Sequence, residues 1–175
     1  MSRIRAFVIV AAVAAVALPL SVRAQDNAPT ADQLQARAQA LYPSPDLYPV
    51  AARLFQRSAA MRAPGDPRAV DALAMAARLL TYSGQYGRAR ATMESAAERA
   101  LADGDVVTAA YRFADAAYIA GNYAHNARAE DLVERVVWLA SVPGLSAGQR
   151  QDMLERLGPT ALPSAAIGAG LASVK

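Results

Sequence analysis

Apolar residues along this chain recur at helical spacing, and caps, Gly and Pro mark the breaks between the apolar runs. Thr30-Ala-Asp-Gln33 has the form of a capping box, in which the Thr hydroxyl and the Gln side chain satisfy each other's backbone N–H groups. Leu34, Ala38 and Leu41 follow on one helical face, and Pro43-Ser-Pro45 stops that helix. Asp46 stands where it would cap the next helix, with Val50, Leu54 and Phe55 as its apolar face. Pro64-Gly-Asp-Pro67 breaks and restarts the chain, with Asp66 at the cap and Pro67 at the first helical position. A helix then runs to about Tyr82. Further helices are predicted over Tyr86 to Ala102, Val106 to Ala120 and Tyr123 to Ala140. Ser83-Gly84, Asp103-Gly-Asp105 and Gly121-Asn122 are the turns between them. Pro143-Gly144 ends the run, and Ser146-x-x-Gln149 opens a last short helix to about Leu157. No segment alternates apolar and polar residues with period two over a useful length. The pattern therefore predicts seven helices and no sheet, an all-α chain.

The two ends do not fit the helical pattern. Met1-Ser-Arg-Ile-Arg5 is a short positive stretch, and Ala6 to Leu20 is a 15-residue apolar run with Pro19 near its end. Val22-Arg-Ala24 then offers small or aliphatic residues at the third and first positions before a cut. This is the secretory signal pattern, and it predicts cleavage after Ala24. The run falls short of the roughly 20 apolar residues of a spanning helix; an uncleaved anchor is the rival reading. With no Arg-Arg pair and no Cys, the twin-arginine and lipoprotein routes are not indicated. The expected location is periplasmic or secreted, with the membrane touched only through this segment before cleavage. Residues 25–29 form a polar leader, 30–157 the helical domain, and 158–175 an Ala/Gly/Pro tail. That tail is either flexible or docked through Ile167, Leu171 and Val174.

Charge changes its meaning once the signal segment is set aside. Removing Arg3, Arg5 and Arg23 from the 18 basic residues leaves 15, against 15 acidic ones. The mature chain is formally neutral. A nucleic-acid binder needs a surplus of cations to displace counterions from phosphates, so no nucleic-acid partner is expected. The absence of Cys excludes disulfides, thiolate zinc sites and Cys nucleophiles.

The turns recur. Tyr48, Tyr86 and Tyr123 are spaced by 38 and 37 residues, and two of them follow a Gly-x step, Gly84-Gln-Tyr86 and Gly121-Asn-Tyr123. A fixed period in this range marks stacked repeats. In the middle unit, Leu73, Ala76, Ala77 and Leu80 lie on the first helix, Gly84 and Tyr86 at the turn, and Ala89, Met93 and Ala96 on the second. That unit resembles a tetratricopeptide repeat. The first unit matches at Ala38, Tyr42, Tyr48, Ala51, Phe55, Ser58 and Pro64, and departs at Gln39. The third keeps Ala110, Phe113, Ala114, Ala117, Gly121 and Tyr123. Its second helix slips, with Ala127 one residue late and Asp131 in place of a large apolar residue. The resemblance covers about Thr30 to Ala140. It implies about three stacked helix–turn–helix units, with Ser146 to Leu157 as a capping helix. A generic Ala-rich bundle is the competing architecture.

Candidate chemistry is sparse. His125 is the one imidazole and has no accompanying nucleophile motif. One His without Cys cannot supply the usual zinc sets. Asp103-Gly-Asp105 is followed at once by Val106 and Val107, so it reads as turn and cap rather than a calcium loop. The i,i+4 pairs Glu94/Glu98 and Glu130/Glu134 have Arg90 and Arg135 nearby and read as solvated faces. No cofactor, metal or catalytic residue is assigned. Tyr111, Asp115 and Tyr118 fall on one side of a helix, with Arg112 adjacent. The resemblance implies that they face the concave surface, joined by Asp71, Arg78 and Tyr82. Tyr and Arg dominate binding hot spots, so this set is the candidate partner-binding surface; the alternative is that the rings are core. The expectation is an exported module that holds a protein or peptide partner in the cell envelope and is not an enzyme. Two readings stay open beside it: a small-molecule-binding or enzymatic bundle, and a self-associating structural protein.

Overall fold

The computed structural model describes residues 28–124 and 128–157. The expected signal segment, His125, Ala127 and the tail from residue 158 lie outside them. Within the described residues the chain is all-α. Its seven α-helices are α1 (Ala31–Ala40), α2 (Tyr48–Ala60), α3 (Pro67–Tyr82), α4 (Tyr86–Ala102), α5 (Val106–Ile119), α6 (Arg128–Ala140) and α7 (Ala147–Glu155). Each helix packs chiefly on its neighbours in sequence, and α7 touches both α6 and α5. The result is a stack of antiparallel pairs around one continuous core.

The caps explain the helix starts. At α1 the Gln33 amide N–H donates to Thr30 Oγ1 (3.2 Å), and the Thr30 N–H donates to Gln33 Oε1 (2.9 Å). Ser146 and Gln149 repeat this box at α7. Asp66 accepts from the Arg68 N–H at 3.0 Å, and Asp105 from the Thr108 N–H at 2.9 Å. Helices α3 and α4 end alike. The Gln85 N–H donates to the Leu80 carbonyl (2.8 Å) and the Asp105 N–H to that of Ala100 (2.9 Å). Gly84 and Gly104 sit between, at φ 74° and 82°. This is the Schellman arrangement, which needs a residue that adopts positive φ without strain.

Three local expectations are corrected. Asp46 does not cap α2; it lies inside a 3-10 turn, Pro45–Leu47, and no side chain caps the helix. Pro49 stands in the first turn of α2 and has no N–H to be capped. Val50 is 43% exposed, and Leu54 only partly buried. The buried ridge of α2 is Ala51, Ala52, Phe55, Ser58 and Ala59, in which small side chains carry the contact. Gly121-Asn122 does not turn the chain out of α5. Residues Ala120–Ala124 continue α5 as a π-helical turn, and α6 is described from Arg128, not Tyr123. There the Asn122 side-chain amide donates to the Tyr118 carbonyl at 3.0 Å. It satisfies a helix-end acceptor of the kind served by backbone N–H groups after α3 and α4.

The core is built mostly from Ala. Ala76, Ala77, Ala89, Ala96, Ala110 and Ala114 have no exposed surface, with Phe55, Leu80, Met93 and Phe113 as the large side chains among them. Asp131 is exposed, and α6 buries Leu132, Val133, Val136 and Leu139 instead. Polar bonds join successive units at about one repeat of separation. Gln56 Nε2 donates to Thr92 Oγ1 (2.9 Å), and the Gly65 N–H to Asp103 Oδ1 (2.8 Å). Arg135 pairs with Glu98 at 2.7 Å and lies 4.2 Å over the Phe113 ring. The buried Arg62 guanidinium ties α1 to the α2–α3 connection through Asp32 (2.7 Å), Gln35 (2.8 Å) and Asp66 (3.3 Å).

Two outcomes follow from this packing. Ala77→Leu adds volume at a fully enclosed helix contact, which should cost about 1–3 kcal/mol. Ala102→Leu, on exposed surface, should stay within about 0.5 kcal/mol of the parent in urea unfolding. The second outcome concerns acid. Hydrogen bonds from Arg68, with a further one from Arg62, hold the Asp66 carboxyl at about 2, below its ordinary 3.8. A lowered native pKa stabilises the fold above the ordinary value, and the benefit is lost as pH falls through the native one. Asp66→Asn keeps a capping side chain and removes the charge. The melting-temperature gap between parent and variant should be full above about pH 5, shrink below pH 4 and close near pH 2.

Candidate functional site

Helices α3 and α5 lie one repeat apart, and equivalent positions on them face each other across a groove. Arg78, Thr81 and Tyr82 come from α3; Asp115, Tyr118 and Ile119 come from α5. Each α5 residue is 37 positions after its α3 counterpart. Within each helix the three share a face because positions three and four apart are neighbours. Met93 of α4 and Tyr123 of the π-helical turn complete a cavity of about 230 Å³, open to solvent. Its base is apolar, since Met93 and Ile119 are buried.

The upper walls are phenol rings. Tyr82 is 72% exposed, Tyr118 47% and Tyr123 41%. Tyr82 leans on Tyr48, with ring centroids 6.1 Å apart. Tyr123 stacks on Tyr86 (4.9 Å, 15° between planes) and meets Tyr118 edge-on (5.9 Å, 73°). A hydrogen bond with the Tyr118 hydroxyl, then the proximity of that phenol, raises the Tyr123 hydroxyl above its ordinary value. The rings thus support one another from three successive units.

The charges in and beside the groove are unequally satisfied. Both oxygens of Asp115 are engaged, by Arg112 and by Arg156 Nε, each at 3.3 Å. Arg112 also stands 3.6 Å from Asp71. The Thr81 hydroxyl donates to the Ala77 carbonyl. Arg78 is exposed and makes no ion pair among the described residues. Its charge is felt at Tyr42, where burial raises the phenol and Arg78 works against that rise. The Tyr42 hydroxyl is buried without a hydrogen-bond partner among the described residues.

No protein-family model, curated protein or solved structure matches this chain.

The structure brings Arg78, Tyr82, Asp115 and Tyr118 together in one groove, with Arg112 and Asp71 as an ion-paired flank. Tyr111 is set apart from them. Its hydroxyl donates to the Asp152 carboxylate on α7, and the Arg156 guanidinium lies 5.0 Å over its ring. The bond to Asp152 and then burial raise the Tyr111 phenol. Asp103 and Asp105 act in the turn, accepting from Gly65 and Thr108. Glu94 pairs with Arg90 and Arg128, and Glu98 with Arg135.

Tyr123, Thr81, Met93 and Ile119 were not legible as groove residues. The repeat period puts Tyr123 beside the turn glycine, where it reads as packing; the π-helical turn brings it round to Tyr118. The signal that could have found the others is the 37-residue offset itself, applied to Arg78, Thr81 and Tyr82.

Tyr111→Phe removes the one donor that α7 receives from this ring. Amide exchange within Ala147–Glu155 should then speed severalfold, while α3 and α4 keep their protection, because local opening follows local bonds. Unchanged exchange in α7 would show that the burial of Met153 and Leu157 holds the helix without this bond.

Proposed function

We propose that this chain is an exported helical-repeat protein that binds a segment of a protein partner in the cell envelope. The observation that carries the reading is the groove between α3 and α5, where three exposed Tyr rings converge beside a cation with no ion pair among the described residues. Tyr offers a large contact area with few rotors to immobilise, and Tyr and Arg are the types enriched at binding hot spots. The resemblance to tetratricopeptide repeats supports a binding role, and the signal-type first 24 residues support export. Asp115 has both oxygens occupied by guanidinium groups. It is a poor candidate for a general base, which favours a binding role over a catalytic one.

The cysteine-free sequence makes the test simple. A single Tyr82→Cys substitution, labelled with a photo-crosslinker, should give a discrete adduct with an envelope protein in the native host. Adding Arg78→Glu should abolish it. The double variant Tyr82→Ala/Tyr118→Ala should bind at least about 30-fold more weakly, as loss of a hot spot does, with nearly unchanged helical content. The intact mass should correspond to a chain beginning at Gln25. An absent adduct, or a cytoplasmic protein that retains its first 24 residues, would sink the reading.

A further inference from the structure

The polar inventory of the groove restricts what it can hold. Its acceptors are committed: Asp115 is bound by two Arg side chains. Its cation is not, since the exposed Arg78 guanidinium has no ion pair among the described residues; beside it stands the exposed Tyr82 phenol, while the Tyr118 and Tyr123 hydroxyls bond each other. A ligand segment that brings backbone N–H groups finds no Asp115 oxygen free of a guanidinium. A segment that brings carbonyls and a carboxylate is matched.

Shape narrows the choice. The recess is open to solvent and offers about 230 Å³, so it takes a few side-chain rings of an occupant rather than a whole element. The described residues contain no strand, so no sheet edge is offered to an extended β segment. The walls are ring faces from Tyr82, Tyr118 and Tyr123, standing over an apolar base of Met93 and Ile119. Proline meets each of these conditions. It has no N–H, its ring packs flat on an aromatic face, and the polyproline II helix is preformed with free carbonyls.

We propose, resting on the peptide-binding reading above, that this groove takes a proline-rich segment in the polyproline II conformation, with an Asp or Glu of that segment paired to Arg78. The prolines lie against Tyr82, Tyr118 and Tyr123; the Tyr82 hydroxyl, and whichever of the bonded Tyr118–Tyr123 pair accepts from the other, can donate to carbonyls of the segment. Charge complementarity sets the register: Arg78, without an ion pair among the described residues, lies at one rim, and the Asp115 side of the groove is already neutralised.

Three fluorescein-labelled peptides separate the contributions, tested by anisotropy with the protein purified as its native host processes it. They are repeats of Pro-Pro-Asp, of Pro-Pro-Lys and of Gly-Gly-Asp. The Pro-Pro-Asp peptide should bind at least tenfold more tightly than either of the others. Arg78→Glu should invert the order of the two proline peptides, an outcome that simple unfolding cannot produce. Tyr82→Ala/Tyr118→Ala should lose all three. Equal binding of Gly-Gly-Asp and Pro-Pro-Asp would overturn the proline assignment. Equal binding of Pro-Pro-Lys and Pro-Pro-Asp would overturn the role of Arg78. Preference for an amphipathic helical peptide or a chito-oligosaccharide would overturn the proposal as a whole. If the Tyr82→Cys crosslink forms in cells while no proline peptide binds, the ligand assignment fails and the binding reading stands. If neither is seen, both fail.

Discussion

Close approach of helices through alanine is the constraint on which the rest of this structure depends. Ala76, Ala77, Ala89, Ala96, Ala110 and Ala114 are fully enclosed, and side chains this small let neighbouring helices sit near the low end of the usual interaxial range, about 8–10 Å. The cost of the arrangement is that each Ala buries little apolar area, and burial scales with area. Phe55, Phe113, Met93 and Leu80 supply large buried side chains. Helix ends and links between units then matter more than they would in a Leu-rich core. The two Schellman turns, the capping boxes and the buried Arg62 tie are placed at those ends.

The same close approach fixes register along the stack. Gln56 reaches Thr92, Gly65 reaches Asp103 and Arg135 reaches Glu98, each pair separated by 36–38 residues. Two of these links are hydrogen bonds and one is an ion pair, each worth only about 0–1.5 kcal/mol, so their main effect here is to favour one sliding position of a unit over another. In a stack where each unit contacts only its neighbours, that local register decides which surface residues become partners. The groove is one consequence. Arg78, Thr81 and Tyr82 meet Asp115, Tyr118 and Ile119 because one repeat has been laid beside the next in phase.

The third unit departs from the other two, and the site depends on that departure. A left-handed glycine ends α3 and α4, whereas Ala120–Ala124 continues as a π-helical turn. Such turns recur at functional sites because they re-aim side chains. Here the turn sets Tyr123 between Tyr86 and Tyr118. At the far side α7 and the turn after it close the stack through Met153 and Leu157, with Asp152 taking Tyr111 and Arg156 one oxygen of Asp115. The surface left open is therefore narrower than the face that Tyr111, Asp115 and Tyr118 define on the isolated helix.

Among the described residues, the seven helices, most of their boundaries and the all-α character were legible in the sequence because they are set locally. Thr30 with Gln33, Asp66 with Pro67, Gly84, Asp105, and Ser146 with Gln149 act within a few residues of themselves, and the structure uses each as its chemistry dictates. The enclosed Ala positions were anticipated through the tetratricopeptide resemblance, which implies small residues at those helix contacts. What the sequence could not decide is which exposed residues converge. Tyr111 and Tyr118 are equivalent by helical spacing, yet one is engaged by α7 and the other lines the groove. Asp46 and Val50 had the right chemistry for cap and core, but the two flanking prolines and the Ala ridge of α2 set the chain differently. Contacts separated by about 40 residues depend on how whole helices stack, and only the tertiary structure carries that information.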